Sequence, residues 1–294
     1  MIASTPLSAS EAGVEYLKVD IRNASDVRSA FRQIKPTELY HLAGISAVDL
    51  SWDNPRLTFE VNVGGTYNVL ESAMALSSPP RILNVSTAQV YAPSSAPLHE
   101  NSPLDPVNPY AASKAMAELL EVSFRRKSGS AAIITARSFN HTGPGQVPTF
   151  VLPAFAKQFA EIEAGLRPAK LAVGNIDVTR DFTDVRDVVC AYSALLERGR
   201  AGQVYNVCSG TGALLSDVIK QFQGLCRAAV TVEIDPARVR SREVSAIIGD
   251  ARKLNRETGW VPRIPMSQTL RDLLEYWRDK TDSENNPRAE FSSL

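Results

Sequence analysis

The chain has 294 residues, 32 Lys and Arg against 32 Asp and Glu, 44% hydrophobic residues and three cysteines. A formal net charge of zero provides no broad field for nucleic acid or an anionic membrane, so we expect a small-molecule partner. Cys190, Cys208 and Cys226 lie far apart without a CxxC pair, which argues against a disulfide framework and against a metal site.

Two features of the hydrophobic pattern bear on location. No apolar run approaches the roughly 18 residues that a membrane span needs. The first residues lack the charged and then apolar layout of a signal peptide. We therefore predict a soluble, cytoplasmic protein.

Short apolar runs alternate with helical patterns along the first half of the chain. The runs predict strands over residues 15–20, 38–43, 81–87 and 131–138, and the helical patterns cover residues 55–75 and 109–126. Both helices follow an Asn-Pro step, where proline at the first helical position costs no hydrogen bond. This alternation predicts an α/β fold with a doubly wound parallel sheet.

The regular alternation of strand and helix patterns ends after about residue 140, in a segment rich in Gly and Pro. We predict a dinucleotide-binding domain over residues 1–145, to which segments near 176–210 return. A smaller, discontinuous mixed α/β substrate subdomain is predicted over residues 146–280, followed by a polar tail over 281–294.

Tyr110 and Lys114 form a Tyr-Ala-Ala-Ser-Lys string inside the second predicted helix. A spacing of four residues puts both side chains on one helix face, where the ammonium group can lower the pKa of the phenol. Thr87 ends the predicted strand 81–87, and the carboxyl ends of parallel strands are where ligands bind. These three residues are the predicted catalytic group.

The Thr, Tyr and Lys constellation resembles that of the extended short-chain dehydrogenases/reductases, the NAD-dependent epimerase/dehydratase family that acts on nucleotide sugars. The resemblance covers roughly residues 15–280 and is supported by five further strings in the family's order. These strings are YHLAG at 40–44, SWDNP at 51–55, VNVGGT at 61–66, RSFNHTGP at 137–144 and RDF at 180–182. It implies a Rossmann-like sheet with a nicotinamide dinucleotide, NADP or NAD, as cofactor.

The subtype depends on the residues after Thr87. Dehydratase members place an Asp-Glu pair there to eliminate water, whereas this chain has Ala88 and Gln89, which do not titrate. The resemblance is greatest to members that reduce the 4-keto group of GDP-4-keto-6-deoxy-D-mannose to GDP-D-rhamnose. A GDP-mannose 4,6-dehydratase or a nucleotide-sugar 4-epimerase is the nearest alternative, and a non-catalytic GDP-sugar-binding protein is an alternative of another class.

The resemblance also implies individual roles. Tyr110 protonates the C4 oxygen, Lys114 holds the cofactor ribose and Thr87 hydrogen-bonds the substrate carbonyl. The implied cofactor contacts are Asp20, Ile21, Leu42, Ala43, Gly44, Asn62, Tyr110 and Lys114. The implied GDP-sugar contacts are Thr87, Ala88, Asn140, Arg180, Arg240 and Glu243, with Arg238 a weaker candidate for the diphosphate and His141 a structural residue. A homodimer formed through the two predicted helices is implied as well.

One part of the family pattern is missing. Members begin with a strand and a GxxGxxG loop whose backbone N–H groups receive the pyrophosphate, and this sequence has no such loop. Residues 1–4 resemble the end of the family's second strand, so we expect an incomplete N-terminus, no first strand and poor cofactor binding. Residues 3–5, where the choice between NAD and NADP is usually made, contain no acidic side chain, which permits NADP.

Overall fold

The computed structural model describes residues 13–128, 131–239 and 244–285. Strands alternate with helices through most of this length. The strands are β1 (Glu38–His41), β2 (Arg81–Thr87), β3 (Ile133–Ser138), β4 (Asn140–Thr142), β5 (Lys170–Val173), β6 (Thr179–Asp184), β7 (Val204–Val207), β8 (Gly212–Leu214), β9 (Thr231–Ile234) and β10 (Ala246–Ile247).

The helices pack on both faces of the first sheet and around a second core. They are α1 (Ala24–Ile34), α2 (Val48–Asp53), α3 (Pro55–Phe59), α4 (Thr66–Met74), α5 (Pro109–Ser128), α6 (Val151–Glu163), α7 (Val185–Arg198), α8 (Leu215–Leu225), α9 (Arg252–Thr258) and α10 (Met266–Asn285). A π-helical segment, Glu60–Gly65, joins α3 to α4. No helix in the described ranges is long and apolar enough to cross a membrane.

The first sheet is parallel, in the order β1-β2-β3-β7. Side chains of a strand alternate between its two faces, so neighbouring apolar residues enter different cores. Ile82 and Ile133 pack with the α1 and α4 side, whereas Leu83 and Ile134 pack with α7. Helices therefore cover both faces, which confirms the predicted doubly wound α/β fold.

The remaining strands lie outside this sheet. β6 pairs with β4, β8 and β10, and β5 pairs with β9. Their core is separate and includes Phe159, Phe222 and Trp277 from α6, α8 and α10. The domain boundaries at 145 and 280 remain a prediction.

Two predicted elements need correction. Residues 15–20 form no named strand, because a strand exists only where a ladder pairs it, and β1 pairs only with β2 among the described strands. The helix predicted over 55–75 contains the π-helical segment and ends at Met74. The first five residues of the predicted tail, 281–285, are the end of α10, and the tail itself remains a prediction. Residues 286–294 lie outside the described ranges.

Candidate active site

The beginning of α5 positions Tyr110. Asn108 accepts a hydrogen bond from the backbone N–H of Ala111 at 2.8 Å and caps the helix, while Pro109 occupies its first position. The Tyr110 N–H donates to Ser51 Oγ at 3.2 Å, and Ser51 is fully buried. This hydrogen bond therefore connects the SWDNP segment, through Ser51 of α2, to the first turn of α5.

Thr87 and Tyr110 meet at the carboxyl end of β2. Tyr110 is buried, and the Thr87 side chain lies close enough to its phenol to influence its pKa. Burial raises the pKa of Tyr110, and the Thr87 contact opposes this only in part. We expected Lys114 to lower the pKa of Tyr110, but this pKa is raised, and burial is the largest cause. A phenol with a raised pKa stays protonated at neutral pH, as a proton donor requires.

Lys114 lies one turn further along α5. Its Nζ donates to the Val85 carbonyl of β2 at 2.8 Å. Burial lowers the pKa of Lys114 to about 8, and the carboxylates of Glu121 and Glu118 act in the opposite direction when they are ionised. The ammonium group therefore lies between the sheet edge and the helix, on the same side of α5 as Tyr110.

Asn62 lies in the π-helical segment and closes the other side of the site. Its side chain accepts from Ile45 N at 2.8 Å and donates to Ile45 O at 3.0 Å and to Ser113 Oγ at 2.8 Å. A Cβ added to Gly44 would lie 3.0 Å from Asn62 Oδ1 and 3.4 Å from Lys114 Nζ. The bare Gly44 backbone thus lies directly against the two predicted cofactor contacts.

His41 ends β1 just before this turn. Thr66 Oγ1 donates to Asn62 O at 2.6 Å, so at the 3.0 Å contact with His41 Nε2 the imidazole is the donor. Burial and the charge of Lys114 lower the pKa of His41 to about 3. The ring is neutral and adds no second cation beside Lys114.

Asp20 and Ile21 lie on the far side of the π-helical segment. Asn68 donates to the Ile21 carbonyl at 2.8 Å, and a Cβ on Gly65 would lie within 2.4 Å of Ile21 Cδ1. Asp20 also lines an open cavity of about 580 Å³ between this turn and α4. Leu42 is exposed and Ala43 is partly buried at the end of β1.

The predicted substrate residues lie beyond the sheet edge. Asn140 is exposed at the start of β4, two residues after Ser138, the cross-strand neighbour of Thr87. His141 donates from Nδ1 to the Phe139 carbonyl at 3.0 Å, a contact that fits its predicted structural role. Ala88 is buried in the turn after Thr87.

Arg180 lies on β6 between β8 and β10, and its Nη1 donates to the Thr179 carbonyl at 2.9 Å. The neighbouring Asp181 accepts from the backbone N–H groups of Ser209, Gly210 and Gly249 at 2.8, 2.9 and 3.1 Å. These bonds tie the β6 strand to two loops.

The remaining predictions concern Arg238, Arg240, Glu243 and residues 1–5. Arg238 is exposed and paired with Asp235 at 3.1 Å. Arg240, Glu243 and the predictions made for residues 1–5 lie outside the described ranges.

Sequence reasoning missed three residues that support the site. Ser51 and Ser113 are fully buried and bind Tyr110 N and Asn62, respectively, although both lie inside strings that carried the resemblance. Glu118 lies one turn after Lys114 and faces the sheet. Its spacing of four from Lys114 was the available signal.

A Thr, a Tyr and a Lys at the carboxyl edge of a doubly wound parallel sheet define an extended short-chain dehydrogenase/reductase. Comparison with known proteins narrows this class. A profile of the GDP-mannose 4,6 dehydratase family matches residues 2–273. The chain therefore belongs to the GDP-mannose 4,6-dehydratase family.

Relatives within the family differ in activity. The chain is similar to the GDP-6-deoxy-D-mannose reductase of Pseudomonas aeruginosa, at 38% identity over 85% of this chain and 83% of that protein. It is 27% identical to a GDP-mannose 4,6-dehydratase of Vibrio cholerae, over 87% of this chain and 76% of that protein.

Two solved structures have the same fold. RMD from Pseudomonas aeruginosa complexed with NADPH superimposes with a TM-score of 0.84 at 34% identity, covering 95% of this chain and 92% of that one. The Thermus thermophilus UDP-glucose 4-epimerase complex with NAD gives a TM-score of 0.82 at 27% identity, with coverages of 94% and 89%.

Proposed function

We propose that the chain reduces the 4-keto group of GDP-4-keto-6-deoxy-D-mannose to a hydroxyl, giving GDP-D-rhamnose, with NADPH or NADH as the reductant. The observation that carries the proposal is the pairing of a protonated Tyr110 with Thr87 at the sheet edge, followed by Ala88 and Gln89, which cannot act as an acid and a base. The similarity to a reductase of Pseudomonas aeruginosa supports the same reaction.

The described residues fit a nicotinamide dinucleotide. The bare backbone of Gly44 leaves room beside Asn62 and Lys114 that a Cβ would fill. When bound, the cofactor supplies the hydride. Its predicted contacts are Asp20 and Ile21 at one end, the turn Leu42, Ala43 and Gly44 with Asn62, and Tyr110 with Lys114 at the other end.

Residues of the chain itself carry out the proton transfer. Tyr110 gives its phenolic proton to the C4 oxygen as negative charge develops there, and Thr87 donates a hydrogen bond to the same oxygen. Lys114 stays cationic at neutral pH because its pKa of about 8 lies above 7, and this charge stabilises the phenolate that remains. Asn140 and Arg180 are the described residues that we assign to the GDP-sugar, with Arg240 and Glu243 assigned on the resemblance alone.

A 4,6-dehydratase activity on GDP-mannose is the second candidate, because the matching family profile carries that description. Elimination of water needs an acid and a base beside the substrate. The buried Ala88 and the amide of Gln89, which accepts from Asn108 at 3.1 Å, provide neither at the positions after Thr87.

The deciding experiment supplies the purified chain with either GDP-mannose or its 4-keto-6-deoxy derivative and follows the absorbance of NADPH and NADH. Oxidation of the reduced cofactor with the keto sugar alone supports the reductase. Conversion of GDP-mannose without net cofactor consumption would instead establish the dehydratase. A thermal-shift titration with NADPH, NADH and GDP separates a failure of cofactor binding from a failure of substrate binding.

We also propose that the protein is a cytoplasmic homodimer. The side chains of Met116 and Leu119 on α5 are 45% and 68% exposed, and Tyr67 on α4 is 43% exposed. Large apolar side chains grouped on neighbouring helices are typical of a protein interface. Three free cysteines suit a reducing compartment.

A further inference from the structure

Helix α5 carries two acidic residues on the side that faces the sheet. Tyr110, Lys114 and Glu118 follow one another at intervals of four residues, and Glu121 lies nearly a turn further on, so all four share one face. The Glu118 side chain is only 11% exposed and Glu121 is buried. Acids in such positions are rare unless they are paired, so each requires specific partners.

Glu118 is held by two cross-strand neighbours of the sheet. Ser86 of β2 lies opposite Arg137 of β3. Ser86 Oγ donates to Glu118 Oε1, and Arg137 donates to both carboxylate oxygens, from Nε at 3.0 Å and from Nη2 at 2.7 Å. This bidentate contact fixes α5 to two strands at once.

Glu121 is bound in the same manner by the pair of residues two positions earlier in the β2–β3 register. Asn84 of β2 lies opposite Thr135 of β3, and both side chains donate to the Glu121 carboxylate. These donors are neutral, whereas Arg137 is charged. The two contacts therefore have similar geometry but different electrostatics.

The Arg137 guanidinium is buried, with a side-chain exposure of 6%. Its Nη1 donates to the Glu100 carbonyl at 3.1 Å, and its Cζ lies 4.8 Å from the centre of the Tyr91 ring. Glu118 is the carboxylate with which it forms an ion pair in the described residues. Removal of that charge leaves a buried cation without compensation, which is strongly unfavourable.

We propose that Glu118 is a positioning residue for the Tyr110–Lys114 pair: its ion pair with Arg137 sets the register of α5 on β2 and β3 and balances the buried guanidinium beneath the reacting groups. The proposal rests on the catalytic roles assigned under the proposed function. The same strand that binds Glu118 through Ser86 also holds Lys114 through Val85 O and supplies Thr87. A shift of α5 along β2 therefore changes all three distances together.

The charges around the site fix the sign of the pH effect. Lys114 faces the neutral His41 of β1 and the acids Glu118 and Glu121 of its own helix. Tyr110 lies near Tyr192 of α7, a phenol whose pKa burial raises to about 12. Loss of the negative charge of Glu118 makes the site more positive. This change favours the deprotonated forms of both groups, the Tyr110 phenolate and the neutral Lys114 amine. The alkaline limb of the kcat profile then moves to lower pH.

The test compares Glu118→Gln with Glu121→Gln, the same change at the two acids. At pH 7 burial keeps Glu121 protonated, since its pKa is raised to about 8, and an amide can accept from Asn84 and donate to Thr135. We expect kcat to fall about tenfold in Glu118→Gln with KM for the GDP-sugar within about twofold, and Glu121→Gln to keep kcat within about twofold. Equal losses in the two variants, or a normal kcat in a folded Glu118→Gln, would overturn the proposal.

The double variant Glu118→Gln/Arg137→Gln removes the uncompensated cation and covers the case in which Glu118→Gln does not fold. Its alkaline limb should return to the wild-type position while kcat recovers only in part. A double variant with wild-type kcat contradicts the positioning role, and a limb that stays shifted contradicts the charge balance.

NMR titration of the Lys114 ammonium group, assigned with Lys114→Met, provides a readout that needs no turnover. Glu118→Gln should lower the pKa of Lys114, and the double variant should restore it. An unchanged Lys114 pKa in Glu118→Gln overturns the proposal even if the wild type is active. If Glu118→Gln lowers the pKa of Lys114 but the wild-type protein shows no turnover, only the proposed function is contradicted.

Discussion

Asn62 Nδ2 donates a hydrogen bond to Ser113 Oγ over 2.8 Å, and this contact joins the π-helical segment to the turn of α5 between Tyr110 and Lys114. A π-helical turn adds a residue to the helix and redirects the side chains that follow. Here it brings the Asn62 amide to the Gly44–Ile45 backbone as well. The side chain therefore couples the predicted cofactor turn to the predicted catalytic helix.

Gly44→Ala should weaken binding of the dinucleotide. The new Cβ meets Asn62 Oδ1 at 3.0 Å and Lys114 Nζ at 3.4 Å, so one of these groups must shift. Overpacking of this kind costs about 1 kcal/mol or more, which is roughly fivefold in affinity. Fluorescence titration with NADPH measures the effect. Gly224→Ala on α8 is the matched control, because a Cβ there also meets nothing within 4 Å, and an equal loss in both variants would contradict the prediction.

Tyr110→Phe should remove most turnover and leave binding of the GDP-sugar nearly intact. The change deletes the proton donor but keeps the buried ring, and positioned acids contribute roughly 10²- to 10⁴-fold to the rate. Single-turnover kinetics with isothermal calorimetry separates the two quantities. Tyr276→Phe removes a partly buried phenol on α10, in the second core, and should change neither. Undiminished turnover in Tyr110→Phe would refute the assignment.

Local patterns predicted the parts of the fold that depend on few residues. The strand β2 has the bounds that its apolar run indicated, and α5 begins at the proline after Asn108. Thr87 and Tyr110 could be assigned to one site from the sequence alone, because both were expected at the carboxyl edge of a parallel sheet, where ligands bind.

Features that depend on residues far apart in the sequence could not be predicted from local patterns. Residues 15–20 have the composition of a strand, yet pairing is decided by other segments. Nothing in the string around Asn62 marks the change from α to π geometry. Glu118 was not singled out, since an acid on a helix is usually solvated and its partner Arg137 is 19 residues away.

Leu119→Asp should disrupt the proposed dimer. The leucine is 68% exposed on α5, and a buried leucine contributes about 1.5 to 3 kcal/mol to an interface. The dimer dissociation constant should therefore rise about tenfold or more, as measured by sedimentation velocity over a concentration series. Val189→Asp changes a valine on α7 that is 60% exposed and should leave the dimer unaffected. A monomeric wild type would contradict the prediction outright.

Glu121→Gln should change how the free energy of unfolding depends on pH. Burial raises the pKa of Glu121 from 4.5 to about 8, so the folded state binds more protons than the unfolded chain between these values. This group therefore lowers stability as pH rises from 4.5 to 8, and the variant should gain stability relative to wild type over that window, with at most the slope of one proton. The lowered pKa of His41 acts oppositely below 6.5 but is common to both proteins. Urea unfolding at several pH values measures the difference. Glu60→Gln, an exposed acid paired with Arg56, is the control, and a gain that is equal in both variants would mean that burial of Glu121 is not its cause.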